Sequence, residues 1–258
     1  REKFMVFVHT DLRYRLPTRR INMPRPAPRQ SLSEQLAAQI RNAIVDARFA
    51  FGEALSEENL AEAFEVSRTP VRQALGLLQM EELVVVVPKS GTYVFTPTLE
   101  DISELCDYRA GLELQAARLA CRNSGPELAR ALAELVEGMH EACSREDMQQ
   151  YGRLDTQYHL ALFERCDNRY LERGYRLILG RVAALRTQLA VRAEGEPDRS
   201  LADHLQLIEL IKADRDDEVE SVLFDHIQRT KDNYLAAFAK HSSASQTGLS
   251  QLRGKLGL

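Results

Sequence analysis

Residues 55–78, LSEENLAEAFEVSRTPVRQALGLL, decide the fold of the first third of this chain. Ser56 stands where a helix N-cap is wanted, with Asn59 three residues on, where a capping box prefers Glu or Gln. Leu60, Ala61, Phe64 and Val66 give a short helix over about 56–64 its apolar interior. Ser67 or Thr69 caps a further helix over about 68–80. Pro70 falls in its first turn, where a missing N–H costs nothing. Val71, Leu75 and Leu78 recur at i, i+4 and i+7 and face inward. Arg68, Thr69, Arg72, Gln73 and Gly76 hold the opposite face. Two arginines four apart near a helix N-terminus are what groove insertion requires. Arg can meet guanine O6 and N7 with two hydrogen bonds while the helix end points at phosphate.

Working outward, a helix starts at Ser31 or Ser33 and carries Leu32, Leu36, Ile40 and Ile44 on one face. Downstream, the β-branched run at 83–87 leads into a Pro88-Lys89-Ser90-Gly91 turn and a second strand over 92–95. That strand pair reads as a wing, in which Gly91 allows close backbone approach to a groove. Residues 30–97 are therefore expected to form a winged helix-turn-helix that binds DNA.

Charge does not carry this reading. The chain of 258 residues has a net charge of −4. Residues 1–29 hold eight basic and two acidic side chains, residues 30–97 five and nine, and residues 98–258 21 and 27. Phosphate neutralisation supplies much of the affinity of DNA-binding proteins, so a negative DNA-binding unit must rely on where its few arginines sit. The Pro- and Arg-rich stretch 1–29 reads as a flexible basic arm that can compensate.

Apolar residues at 44% and charged residues at 28%, without tryptophan, describe a globular, mainly helical protein. No apolar run is long enough to span a membrane, so no membrane partner is expected and the location reads as cytoplasmic. Cys106, Cys121, Cys143 and Cys166 lie 15, 22 and 23 residues apart without a C-x-x-C pair. They read as reduced core thiols rather than a zinc ribbon or disulfide framework.

The 30–97 unit resembles the GntR family of bacterial transcription regulators. The resemblance is carried by L-x-E-x-x-L-A at 55–61, V-S-R-T-P-V-R-x-A-L at 66–75 and P-x-x-G-T-Y-V at 88–94. It implies that Arg68, Thr69 and Arg72 of the recognition helix, and Gly91 of the wing, contact the operator. Two positions depart from the family pattern. Glu58 stands where Arg is common, and Glu82 where Gly is usual, at the turn out of the recognition helix.

From Thr98 to about Lys240 the pattern is helical throughout. Breaks at Ser124-Gly125-Pro126, near 144–147, at Asp167-Asn168, at 195–197 and at Asp214 divide it into an antiparallel bundle of about six helices. Residues 241–258, rich in Ser, Gly and Gln, read as a disordered tail. Within the bundle, Asp155 and His159 lie one turn apart on a face that continues into Leu162 and Phe163. His204 shares a stripe with Leu207, Ile208 and Ile211, and His226 one with Val219, Val222 and Leu223. A single inward histidine is usually a core residue, yet three on different helices with a carboxylate suit Zn²⁺, Ni²⁺ or Mn²⁺.

This segment resembles the FCD ligand-sensing domain of FadR-type GntR regulators, in Tyr108-Arg109 with Glu113, Asp155-x-x-x-His159, His204 and His226. The resemblance implies a divalent metal, zinc first, held by Asp155, His159, His204 and His226. It also implies a clamp for an effector carboxylate at Arg109, whose plainer reading is a solvated i, i+4 pair with Glu113. Arg181 and Arg186 are further inward candidates.

The expectation is a homodimeric repressor, not an enzyme, that binds a double-stranded operator with two half-sites and responds to a small organic acid. A regulator that senses the metal itself, a metal of purely structural role, and a metalloenzyme are the alternatives. The last lacks a separate general base in any recognisable motif.

Overall fold

The computed structural model describes residues 30–190 and 195–256, with side chains described for 30–189 and 195–240. The basic arm expected at 1–29 lies outside the described residues. Helix α1 (Leu32–Val45) opens with a capping box. The Ser31 hydroxyl accepts from the Glu34 N–H at 3.3 Å, and the Ser31 N–H donates to the Glu34 carboxylate at 2.7 Å. Strand β1 (Ala54–Leu55), helix α2 (Glu57–Ala63), helix α3 (Arg68–Met80), and strands β2 (Val84–Val87) and β3 (Gly91–Val94) follow.

The sheet is antiparallel in the order β1-β3-β2, with Val84 opposite Val94, Val87 opposite Gly91 and Leu55 opposite Thr92. Strand β1 is two residues long, too short to leave an alternating pattern in the sequence. Gly91 opens β3 rather than standing at the wing tip. The tip is formed by Pro88, Lys89 and Ser90, with Lys89 left-handed at φ 64°. Leu36, Ile40, Ile44, Val71, Leu75 and Leu78 close the core of this domain, and Ala184 from the helical domain is packed into it.

The helical domain consists of α4 (Leu99–Ser144), α5 (Met148–Arg165), α6 (Arg169–Leu185), α7 (Glu196–Lys212) and α8 (Asp216–Leu256). A π-helical turn, Arg186–Ala190, extends α6. The expected break at Ser124-Gly125-Pro126 is a kink inside α4, where Ser124 leaves helical geometry two residues before Pro126. The breaks after α4, α5 and α7 each contain a left-handed acidic residue: Glu146, Asp167 and Asp214.

One boundary is corrected. The sequence reading ended helical structure at 240, whereas α8 continues to Leu256. Its last 16 residues contain two glycines, Gly248 and Gly254, and no proline. Their polar composition suggested disorder, but it does not interrupt a helix.

Alanines 116, 117 and 120 line the inner face of α4 and let α5, α7 and α8 approach it closely. No helix among the described residues is long and apolar enough to cross a membrane. The two domains are joined by more than Ala184. Arg153 on α5 pairs with Asp46 at 2.7 Å, and Arg181 on α6 pairs with Glu82 at 2.5 Å.

Candidate functional site

Two surfaces carry chemistry, one exposed on α3 and one buried in the bundle. On α3, Arg68, Thr69, Arg72 and Gln73 are exposed while Val71, Ala74, Leu75 and Leu78 are buried, as the period of the sequence requires. Ser67 is the N-cap residue but its side chain makes no cap hydrogen bond. Both arginines lean on acidic residues of α2. Arg72 donates to both Glu57 oxygens, and Arg68 pairs with Glu58. Glu58, at a position where an arginine was expected, thus also occupies one of the two recognition arginines.

In the bundle, α5 delivers Asp155 and His159, α7 His204 and α8 His226, and all four side chains are buried. One ring nitrogen from each histidine lies within 4.8 Å of the others. Asp155 places Oδ2 3.9 Å from His159 Nε2, and Oδ1 3.6 Å from His204 Nε2. The four residues picked out by the sequence are therefore brought together from three helices.

Neighbours orient the rings. His226 Nδ1 donates to Asp203 Oδ2 at 2.9 Å, which leaves Nε2 facing the cluster. His159 Nδ1 lies 2.8 Å from Glu113 Oε2, close but not well aligned as a hydrogen bond, and its Nε2 accepts from Arg109 Nη2 at 3.1 Å. Tyr158 stacks on the His204 ring at 3.9 Å, and its hydroxyl donates to the His204 carbonyl at 3.1 Å. A carboxylate behind a histidine fixes its tautomer and raises its basicity, the arrangement common around bound metals. Asp203 takes that position behind His226, while Glu113 lies close to His159 Nδ1 without a hydrogen bond to it. Neither was legible as such, because their reach to His226 and His159 exists only once the helices are packed.

Electrostatics follows from burial. Burial pushes His159 down to about 4, assisted by Arg109 and opposed by Glu113. It holds His204 well below the ordinary histidine range. Burial would raise Asp155, but opposing interactions led by the Arg186 guanidinium outweigh it and keep the carboxyl below its usual range. Neutral imidazoles beside an ionised carboxylate are the protonation states that metal ligation needs. Among the described residues, His204 has no hydrogen-bond partner on either ring nitrogen, and Asp155 Oδ1 has none. Buried polar groups are rarely left so. The donor set fits a divalent ion.

Beside the cluster lies a small cavity of about 20 Å³, lined by Arg109, Tyr151, Asp155, Arg186, Glu196, Pro197, Ser200, His226, Thr230 and Tyr234. Arg109 and Glu113 are fully buried and joined at 2.7 Å, so the solvated pair considered from the sequence is corrected. Their one-turn spacing is compatible with either environment. Arg186 also lines the cavity, paired with Asp155 and donating to Thr156 Oγ1 at 2.6 Å. Arg181 does not; it serves the domain interface. Arg109 Nη1 and Arg186 Nη2 have no partner among the described residues.

A winged helix-turn-helix fused to such a bundle defines a DNA-binding transcription regulator. The chain belongs to the GntR family: residues 32–94 match the bacterial regulatory proteins of the gntR family, and residues 104–229 match the FCD domain. It is 32% identical over 126 residues to an HTH-type transcriptional regulator of Agrobacterium vitis, covering 48% of this chain and 74% of that one. It is 27% identical over 143 residues to the gluconate operon transcriptional repressor of Bacillus licheniformis, covering 55% of this chain. That match spans only 58% of the repressor's length. A GntR transcriptional regulator structure from Rhodococcus sp. RHA1 superposes with a TM-score of 0.71 at 25% identity, over 81% of this chain and 99% of that one. These relatives are transcription regulators by name.

Proposed function

We propose that this regulator is a homodimeric repressor whose operator affinity is set by a small organic acid bound beside a metal ion in the helical domain. The observation that carries the reading is His204, buried without a hydrogen-bond partner among the described residues, between two other imidazoles and ionised Asp155. Asp155, His159, His204 and His226 would hold the ion. Zn²⁺ suits this nitrogen and oxygen set first, with Ni²⁺ or Mn²⁺ as alternatives. Once bound, the ion supplies a positive anchor for a carboxylate oxygen. Arg109 and Arg186 offer guanidinium donors to the same small cavity, and Arg binds carboxylates in a bidentate way. Repression is supported by the name of the gluconate operon repressor among the relatives.

The acid acts through its different affinities for two arrangements of the dimer, which present the two winged domains at different spacings to paired half-sites. An operator selected from a random duplex pool, then titrated with mono-, di- and tricarboxylic acids with and without Zn²⁺, tests this. At least one acid is expected to change affinity fivefold or more, and only with Zn²⁺ present. Release by Zn²⁺ alone would favour metal sensing, the second reading that this histidine cluster supports. A response unaffected by chelation would make the metal structural.

A further inference from the structure

We infer that Gln188 couples the effector cavity to the wing. This rests on the reading of the cavity as the effector site for its purpose, but the coupling itself is a property of the fold. The π-helical turn Arg186–Ala190 has two ends of business. At its start, Arg186 lines the cavity, pairs with Asp155 and donates to Thr156 Oγ1 at 2.6 Å. Two residues on, Gln188 leaves the turn in another direction, because residues i and i+2 of a helix do not share a face.

Gln188 is buried and grips the winged domain. Its Oε1 accepts from the Phe51 N–H at 3.3 Å, and its Nε2 donates to the Phe49 carbonyl at 3.3 Å. Both ends of one amide are thus fixed on one short segment. That segment continues directly into the sheet. The Gly52 N–H donates to the Val94 carbonyl at 3.1 Å, the Val94 N–H to the Glu53 carbonyl at 2.9 Å, and β1 pairs with β3. The wing strand β3, paired on one side with β2, is thus tied on its other side to the segment that Gln188 holds.

Apolar packing runs alongside. Phe51 packs against a cluster containing Leu189 of the same π-helical turn and Tyr234, which also lines the cavity. Phe51 further meets Phe95, just after β3, edge-on at 5.1 Å. A change in how Arg186 is held is therefore passed, within one helical turn, to the segment before β1 that Gln188 bonds. A π-helical turn at this point is consistent with a functional origin, since such turns concentrate at functional sites. An energetic cycle measures this coupling.

NMR-detected amide exchange on the full chain supplies that cycle without any ligand. Gln188→Leu should speed exchange of the Phe51 amide about tenfold or more, and extend to Gly52 and Val94. Arg186→Gln should speed the same amides, although Arg186 does not bond them. The double variant should be no faster than the faster single. Should Arg186→Gln not fold, Thr156→Val removes one of the Arg186 partners and is read in the same way. Coupling is overturned if the cavity variant changes only amides around the cavity, if the two effects multiply, or if Gln188→Leu leaves Phe51 unchanged. An operator that responds to an acid while Phe51 stays silent overturns the coupling alone. Failure of the effector reading appears separately, as an operator that no acid affects.

Discussion

Arg72 on the recognition helix donates three hydrogen bonds of 2.7–3.1 Å to the Glu57 carboxylate on the helix before it. A base edge that Arg72 reads must compete with that carboxylate. Replacing it in Glu57→Gln is expected to tighten operator binding a few-fold and to steepen its salt dependence, since one negative charge leaves the interface. Arg72→Ala should weaken binding tenfold or so and relax specificity at one base pair. Anisotropy titrations at fixed salt check both. Weaker binding by Glu57→Gln would mean that Glu57 positions Arg72 rather than competing for it.

Glu82 adopts φ 55° at the turn from α3 into β2, where the family usually has glycine. A non-glycine residue in that region costs about 1–2 kcal/mol. Glycine relieves this strain but adds chain entropy to the unfolded state, and the Arg181 pair is lost. Glu82→Gly should leave stability unchanged or raise it by up to about 1 kcal/mol, as read from urea unfolding. A loss well beyond that would show that the pair with Arg181 matters more than the backbone.

Gly180 on α6 faces Leu83 of the winged domain so closely that an added Cβ would sit 2.8 Å from Leu83 Cδ1. Leu83 is fully buried and has little room to yield. Gly180→Ala should therefore destabilise the chain by about 1–3 kcal/mol through overpacking at the domain junction. Thermal unfolding measures it, and a melting temperature equal to that of the parent would contradict the contact.

Acid should destabilise the chelated protein from above pH 6. His159 is held at about 4 and His204 well below the ordinary value, while both titrate near 6.5 when unfolded. Between those values the unfolded chain binds more protons than the folded one, so stability falls as pH falls. The full contribution is present above about 6.5, and the slope reaches up to about 1.4 kcal/mol per pH unit for each histidine. Denaturant midpoints across pH 4–8 check the sign; a flat profile from 7 to 5 would contradict it.

Much of this was legible before any coordinates. The α3 boundaries, the wing and the convergence of Asp155, His159, His204 and His226 follow from period, cap chemistry and the family motifs. The sequence did not disclose β1, whose two residues carry no alternation, or the helical continuation past Lys240, where composition pointed to disorder. Nor did it disclose Asp203 and Gln188, or which of Arg181 and Arg186 lines the cavity. Their roles depend on which helix packs against which, and a one-dimensional pattern carries no such contacts. The Glu58 departure was visible, but its pairing with Arg68 needed the placement of α2 beside α3.

The most direct test is equilibrium dialysis of the chain against Zn²⁺ followed by elemental analysis, for the parent, His204→Ala and Asp155→Asn. A buried cluster of ligands predicts about one Zn²⁺ per parent chain, with His204→Ala retaining less than about a tenth under the same free Zn²⁺ and Asp155→Asn markedly reduced. Full occupancy in His204→Ala, or no Zn²⁺ in the parent, would contradict the metal-assisted sensor.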